Sequence, residues 1–117
     1  MSGDNADLQA KLAALRTQFG DGLAGRMRDL EAAADGIAAP LDDNGFAAVK
    51  NLRDHAHKMS GSAPTFGYTT VGDCAYELEM VCEAILADRD NPSPSNIGDI
   101  EPLVGKVSAA VEDGADN

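Results

Sequence analysis

The only two histidines of this chain, His55 and His57, lie in the segment DHAHKMSGSAPTFGY, where small residues follow at once. An imidazole suits group transfer near neutral pH, because the neutral ring carries one nitrogen with a free lone pair. If the segment is helical, His57 lies about 100° from the apolar Ala56, at the edge of the buried face. His55 lies roughly 160° away from His57. We therefore expect His57 to be the reactive histidine and His55 an ordinary surface residue or a core residue with satisfied hydrogen bonds.

Glycine at position 61 falls one helical turn after His57 and on the same face, with Ser60 beside it. Glycine inside a helix costs roughly 1 kcal/mol relative to alanine, so its presence needs a reason. We expect that a side chain at Gly61 would crowd the imidazole. The small residues are thus interpreted as clearing a space beside His57 that is large enough for a phosphoryl group and for the surface of another protein.

A carboxylate is expected beside His57 from the following helix. If the two helices form a hairpin about Gly67 and Tyr68, residues equally distant from the turn are level. His57 lies eleven residues before Tyr68, and Glu79 lies eleven residues after it. Glu79 would accept a hydrogen bond from Nδ1–H of His57, fix the tautomer and leave Nε2 as an outward-facing nucleophile.

Four stripes of apolar residues at helical spacing indicate the elements that hold these side chains. The first stripe continues from Leu8 to Ile37, so it implies one long helix, bent or divided at its glycines and ended by Pro40. Short connections, such as the one at Gly67 and Tyr68, make sequential helices antiparallel neighbours. The sequence therefore predicts an all-α fold, an antiparallel up-down four-helix bundle.

Capping residues and prolines predict the helix boundaries. Capping candidates precede two of the helices: Asp42, Asp43 and Asn44 before the second, Thr69 or Thr70 before the third. Pro102 interrupts the fourth stripe, so either the first turn is separate or Pro102 occupies the first turn of a shorter helix. We expect a single domain over residues 1–117, with frayed ends at about 1–5 and 113–117.

The composition excludes several classes of function. Nine basic and twenty acidic residues give a net charge of -11, which argues against nucleic acid or an anionic membrane as a partner. No apolar run approaches the roughly 18–20 residues that span a bilayer, and the N-terminus has no signal-peptide pattern, so we expect a cytoplasmic protein. Cys74 and Cys82 suit neither a metal pair nor a disulfide and are expected to be reduced, mostly buried thiols.

The most specific pattern in the chain joins three short segments: HKMSGSA beginning at His57, FGY beginning at Phe66, and CAYELE ending at Glu79. These segments resemble the signature of the histidine-containing phosphotransfer (HPt) domain, which begins roughly H-x-L-[KS]-G-[SA]-[SA]. The wider helix pattern extends the resemblance over nearly the whole chain. The resemblance implies that His57 is the phosphoacceptor and that Glu79 orients its ring.

One departure from the pattern concerns the charge near the phosphoacceptor. Many members of the family have lysine at the third position after the histidine, and this chain has Ser60 there. Lys58 is present but points about 100° away from His57 on a helix. Arg53, one turn before His57, is therefore the candidate for compensating the phosphate charge.

The resemblance implies a phosphocarrier in a two-component phosphorelay and not an enzyme. A receiver domain that carries an aspartyl phosphate and Mg²⁺ would dock over His57, and a second receiver would later take the phosphoryl group. The expected partners are response-regulator receiver domains or a hybrid histidine kinase, with no cofactor bound by the chain itself. We expect no phosphorylation from ATP, because the four helices leave no nucleotide-binding loop. Exposed apolar residues near His57 are expected to form the docking surface, with Leu23, Phe66 and Tyr68 as candidates.

Two alternatives remain open from the sequence. The chain could be a docking or inhibitory module that binds a kinase or receiver without carrying phosphate. It could also be a metal- or haem-binding bundle that uses His57 with Glu79, Cys74 or Met59. The metal alternative is disfavoured, because two histidines two residues apart do not share a helix face and the repeated Glu-x-x-His pattern is absent.

Overall fold

The computed structural model describes residues 2–116 as four α-helices and one short 3₁₀ turn. The helices are α1 (Ser2–Ala34), α2 (Asp43–Ser62), α3 (Thr69–Ala87) and α4 (Pro94–Asp113), with the 3₁₀ turn at Pro64–Phe66. Contacts join α1 to α2, α2 to α3, α3 to α4 and α4 to α1, which closes the bundle. The predicted four-helix bundle is confirmed, and α1 is one undivided helix. Frayed ends stay a prediction, and Met1 and Asn117 lie outside the described residues.

The core lies where the four apolar stripes meet. Its largest fully buried side chains include Leu23, Leu30, Leu52, Leu78, Ile85 and Val107. The stripe on α1 is buried only from Phe19 onwards, because Leu8, Leu12 and Leu15 are 56%, 44% and 47% exposed. The first half of α1 therefore extends beyond the bundle, and the molecule measures 61 × 22 × 19 Å. None of the helices within residues 2–116 is long and apolar enough to cross a membrane.

Two helix starts show different kinds of capping. Asp42 caps α2 as predicted, and its carboxylate accepts a hydrogen bond of 2.7 Å from the backbone N–H of Gly45. The prediction that Thr69 or Thr70 caps α3 is wrong. The N-cap position is occupied by Tyr68, whose side chain makes no capping hydrogen bond. The carboxylate of Asp116, distant in sequence, accepts instead from the backbone N–H of Thr70 at 2.7 Å. A non-local contact thus satisfies a donor that local sequence patterns assigned to threonine.

The start of α4 also differs from the prediction. Ser93 caps the helix by accepting from the backbone N–H of Asn96 at 3.3 Å, and Pro94 occupies the first turn. Pro102 lies inside the continuous helix. The predictions of a separate first turn and of a shorter helix that begins at Pro102 are therefore both wrong. Its missing N–H leaves the carbonyl of Gly98 without a helical partner, but both residues are exposed, so water can hydrate that carbonyl.

Candidate functional site

A tight hairpin brings α2 and α3 together around His57. The turn between them is closed by Gly67, whose φ of 89° is a left-handed conformation that favours glycine. On α3, a Cβ added to Gly72 would lie 2.5 Å from Cγ of Pro64 and 3.5 Å from the carbonyl oxygen of Ser60. Glycine at position 72 therefore allows the backbones of the two helices to approach closely just beyond the histidine.

The predicted contact between His57 and Glu79 is present. Nδ1 of His57 lies 2.8 Å from Oε2 of Glu79. The Glu79 side chain is only 9% exposed, whereas the His57 side chain is 71% exposed. Because a carboxylate can only accept, Nδ1 carries the hydrogen and donates it to Glu79. This tautomer leaves the lone pair on Nε2, at the edge of the ring away from the buried carboxylate.

Ser60 holds the second oxygen of the same carboxylate. Its hydroxyl lies 3.2 Å from Oε1 of Glu79 and 2.9 Å from the backbone carbonyl of His57. The single hydroxyl hydrogen is shared between these two acceptors. Among the side chains that the structure describes, every buried nitrogen or oxygen atom has a hydrogen-bond partner. At the position where lysine was expected from the family pattern, a neutral residue thus fixes the carboxylate that orients the imidazole.

Arg53 lies one turn before His57, as predicted, but its guanidinium already has two partners. It is 2.9 Å from a carboxylate oxygen of Asp54 and 3.2 Å from one of Glu83 on α3. Hydrogen bonds to Asp54 and Glu83 raise the pKa of Arg53 above its ordinary value. Lys58 is exposed and follows His57 directly, so it projects from another face of α2. The role of Arg53 in compensating a phosphate charge stays a prediction.

The environment of Gly61 corrects one expectation. A Cβ added at Gly61 would meet no atom within 4 Å, so a small side chain there would not crowd the imidazole. The space beside the ring is open to solvent, and what the glycine preserves is access from outside the chain. His55 is half-buried on the other side of α2, and the structure does not bring it to the site.

Two exposed apolar residues on α3 lie next to the site and were missed from the sequence. Tyr76 is 54% exposed and Met80 is 39% exposed. Tyr76 lies one turn before Glu79, and Met80 is the residue directly after Glu79. Their spacing of four residues, outside the stripe that includes Leu78, is the signal that could have identified them.

Of the three residues expected on a docking surface, Leu23 is excluded. It is only 1% exposed, because it belongs to the hydrophobic core. Phe66 and Tyr68 are half-buried, and both rings contact Phe19, with centroids 4.8 Å and 5.6 Å apart respectively. Both residues therefore pack against α1 at the end of the bundle beyond which the first half of that helix extends.

The two cysteines are free thiols, as expected, but only one is fully buried. Burial raises the pKa of the Cys82 thiol to about 12. Cys74 is half-buried, and burial raises the pKa of its thiol to a smaller extent. Among the residues described, no group of three or more His, Cys, Asp or Glu side chains is arranged to hold a metal ion.

Comparison with known proteins gives one family. The sequence model described as the Hpt domain matches residues 8–114, a range that contains His57, Ser60, Gly61 and Glu79. Neither the curated proteins nor the solved structures provided a match. Hpt domains are helical bundles that act in histidine phosphotransfer within phosphorelays, as phosphocarriers and not as kinases, and they interact with receiver domains and kinases of two-component systems. Since the match extends over nearly its whole length, the chain belongs to the Hpt domain family.

Proposed function

We propose that this chain accepts a phosphoryl group on Nε2 of His57 from the aspartyl phosphate of one receiver domain and passes it to another. The observation that carries this proposal is the contrast in burial between the two partners of one hydrogen bond. The ring of His57 is 71% exposed, while the carboxylate of Glu79 that holds it is 9% exposed. An exposed nucleophile on a fixed support suits a reaction in which the other reactant arrives on a second protein.

The transfer step follows from the tautomer. The Nε2 lone pair of His57 attacks the phosphorus atom, an N–P bond forms, and the bond between phosphorus and the aspartyl oxygen breaks. The electron pair of that bond leaves with the receiver carboxylate, so no proton has to move. The ring becomes positively charged with Nδ1 still protonated, and the Glu79 carboxylate stabilises this charge. Attack by the aspartate of a second receiver reverses the step and returns the electron pair to Nε2.

Positioning and charge neutralisation are the main requirements of such a transfer. Glu79 and Ser60 together supply the positioning, because both carboxylate oxygens have partners. The chain itself supplies little positive charge, since Arg53 is paired with Asp54 and Glu83. We expect the receiver domain to bring Mg²⁺, which would neutralise the phosphoryl charge. We propose no cofactor for the chain itself and no phosphorylation from ATP.

The docking surface proposed for the receiver surrounds His57 on α2 and α3. Gly61 leaves open space on one side of the ring, and Tyr76 and Met80 provide exposed apolar area on the neighbouring helix. Transient signalling interfaces are small, typically under about 1,200 Å², so a few such residues can provide most of the apolar contact. Lys58 lies next to His57 and can contact the rim of the same interface.

Phosphotransfer with single-histidine variants tests the assignment. Each receiver domain encoded by the same genome would be charged with acetyl phosphate and Mg²⁺ and then mixed with the chain. We expect an acid-labile, base-stable modification that is lost in His57→Gln and retained in the matched control His55→Gln. Retention of the label in His57→Gln would discard His57 as the acceptor.

The same variants separate the proposal from the alternatives. A docking or inhibitory module would keep its effect on the kinase or receiver in His57→Gln, whereas a phosphocarrier would lose it. A metal- or haem-binding bundle would show metal by elemental analysis or absorbance in the visible range. The cytoplasmic location stays a prediction, to be checked by cell fractionation.

A further inference from the structure

The first half of α1 presents an apolar face that none of the described residues covers. We call residues 5–18 the arm. Leu8, Leu12 and Leu15 lie on one face of the arm and are each at least 44% exposed. Lys11 and Arg16 are rotated by about 70° to either side of this face. In a chain of net charge -11, an apolar face with a basic residue on each side suits a groove that is acidic and only partly apolar.

The arm cannot cover this face by folding back on its own bundle. It continues the uninterrupted helix α1, and the bundle holds the base of the arm tightly. Phe19 stacks on Phe66, and a Cβ added to Gly20 would overlap the hydroxyl of Tyr68. The direction in which the arm leaves the bundle is therefore fixed by packing.

A matching groove lies between the C-terminal end of α1 and α4. It is open, has a volume of about 800 Å³ and extends along α4 from Pro94 to Ser108. Its lining includes the acidic residues Glu31, Asp35 and Glu101 and is more polar than apolar. Val104 is half-buried, whereas Ile97 and Ile100 belong to the core and offer little apolar surface. None of the described residues that line it is basic. Gly98 and Gly105 also line the groove, and a Cβ on either would meet no atom within 4 Å, so a second helix can approach closely.

Arm and groove agree in length and in charge. At 1.5 Å per residue, the fourteen residues of the arm and the groove along α4 are each about 21 Å long. Lys11 and Arg16 would meet the acidic residues, and the leucines would cover the half-buried lining residues Ala34, Ile37 and Val104. The arm is the first half of α1, whereas the groove borders the opposite end of the same helix. An arm therefore cannot reach the groove of its own chain.

We propose that the arm of one copy of this chain lies in the groove of a second copy, in a reciprocal, two-fold symmetric dimer. Antiparallel arrangement of the two molecules brings each arm to the groove of the other, as a closed two-fold interface requires. The groove lies between α1 and α4, whereas His57 lies on the side of α2 that faces α3. The dimer therefore leaves both imidazoles exposed, and the proposal does not depend on the function of His57.

Oligomeric state measured by light scattering after size-exclusion chromatography and by sedimentation equilibrium tests the dimer. We expect a mass about twice the 12.1 kDa of the chain. Leu12→Glu should raise the dissociation constant roughly a hundredfold or more, because a dimer loses two buried leucines. Ala10→Glu, on the opposite exposed face of the arm, is the matched control and should remain dimeric. Gly105→Gln should also give monomers while keeping its helix content, since the new side chain fills the groove and not the core.

Cross-linking between two different variants identifies the contact. One sample carries Leu12→Cys and the other Gly105→Cys, both with Cys74→Ser to remove the partly exposed native thiol. We expect a disulfide-linked dimer only when the two samples are mixed. Linkage of Leu12→Cys to itself would overturn the groove assignment in favour of paired arms. A monomeric mass at all concentrations, or a mass that keeps growing beyond two copies, would overturn the dimer itself.

Discussion

Replacing Glu79 by alanine tests whether the buried carboxylate acts through the imidazole. The substitution removes the acceptor that lies 2.8 Å from Nδ1 of His57. The ring can then rotate, and the other neutral tautomer, with the hydrogen on Nε2, becomes available. In that tautomer the lone pair lies on Nδ1 and the outward-facing Nε2 has none for attack on phosphorus, so the rate of phosphoryl acceptance at Nε2 should fall.

The strength of this hydrogen bond sets the size of the fall in rate. A hydrogen bond to a charged group contributes about 1.5–3 kcal/mol, and about 1.36 kcal/mol corresponds to a tenfold change in rate, which gives roughly 10- to 150-fold. Because the ring is 71% exposed, water competes for Nδ1–H and the lower end applies. We therefore expect Glu79→Ala to accept phosphate about tenfold more slowly. Glu79→Gln keeps an acceptor oxygen without the charge and should lose only about three- to fivefold.

Ser60→Ala completes the set of variants, because Ser60 contacts the same carboxylate. It should slow acceptance by about two- to fivefold in the wild-type background and have no effect in Glu79→Ala, since the two residues act through one contact. The assay is the single-turnover rate from a phosphorylated receiver, with thermal unfolding of each variant as a control for folding. ¹⁵N chemical shifts of His57 report the tautomer independently. A wild-type rate in folded Glu79→Ala, or a hydrogen on Nε2 in the wild type, would refute the reasoning.

Three further predictions concern packing and ionisation. Gly61→Ala should raise stability by up to about 1 kcal/mol in thermal unfolding, since its Cβ meets open space, and a loss of stability would contradict this. Gly72→Ala should lower stability by about 1–3 kcal/mol, because its Cβ would lie 2.5 Å from Cγ of Pro64, and an unchanged unfolding temperature would refute that close approach. Burial raises the pKa of the Cys82 thiol to about 12 from an ordinary 9.0. The free energy of unfolding should therefore be unaffected by this group below pH 9.0 and should fall between pH 9.0 and pH 12, where the unfolded chain loses the thiol proton first. Cys82→Ala should reduce that alkaline loss in urea titrations, and in the folded wild type iodoacetamide should modify Cys74 much faster than Cys82.

The sequence predicted those features that depend on periodicity and on distance from a turn. Apolar spacing gave the four helices, and the hairpin at Gly67 placed Glu79 level with His57, because both helices rise by the same amount per residue. The capping role of Asp42 was also predictable, since it depends on a contact three residues away. Each of these features depends on geometry within one continuous stretch of the chain.

The features that the sequence did not predict depend on contacts between distant segments. Periodicity identified the apolar face that includes Leu12 but could not indicate that this face stays exposed among the residues that the structure describes. The cap of α3 comes from Asp116, and the partners of Arg53 include Glu83 on another helix, so neither follows from neighbouring residues. The sequence predicts Pro102 near a helix start, because a residue in the first turn needs no N–H for a helical hydrogen bond. The structure tolerates Pro102 in the helix interior, because water can reach the carbonyl that lacks its partner.

NMR can show directly whether Nε2 of His57 is the atom that carries the phosphoryl group. The chain, labelled with ¹⁵N in histidine, would be phosphorylated by a charged receiver and examined for coupling between ³¹P and ¹⁵N. We predict coupling to Nε2 of His57, with Nδ1 still protonated and hydrogen-bonded to Glu79. Coupling to Nδ1, or to either nitrogen of His55, would contradict the account.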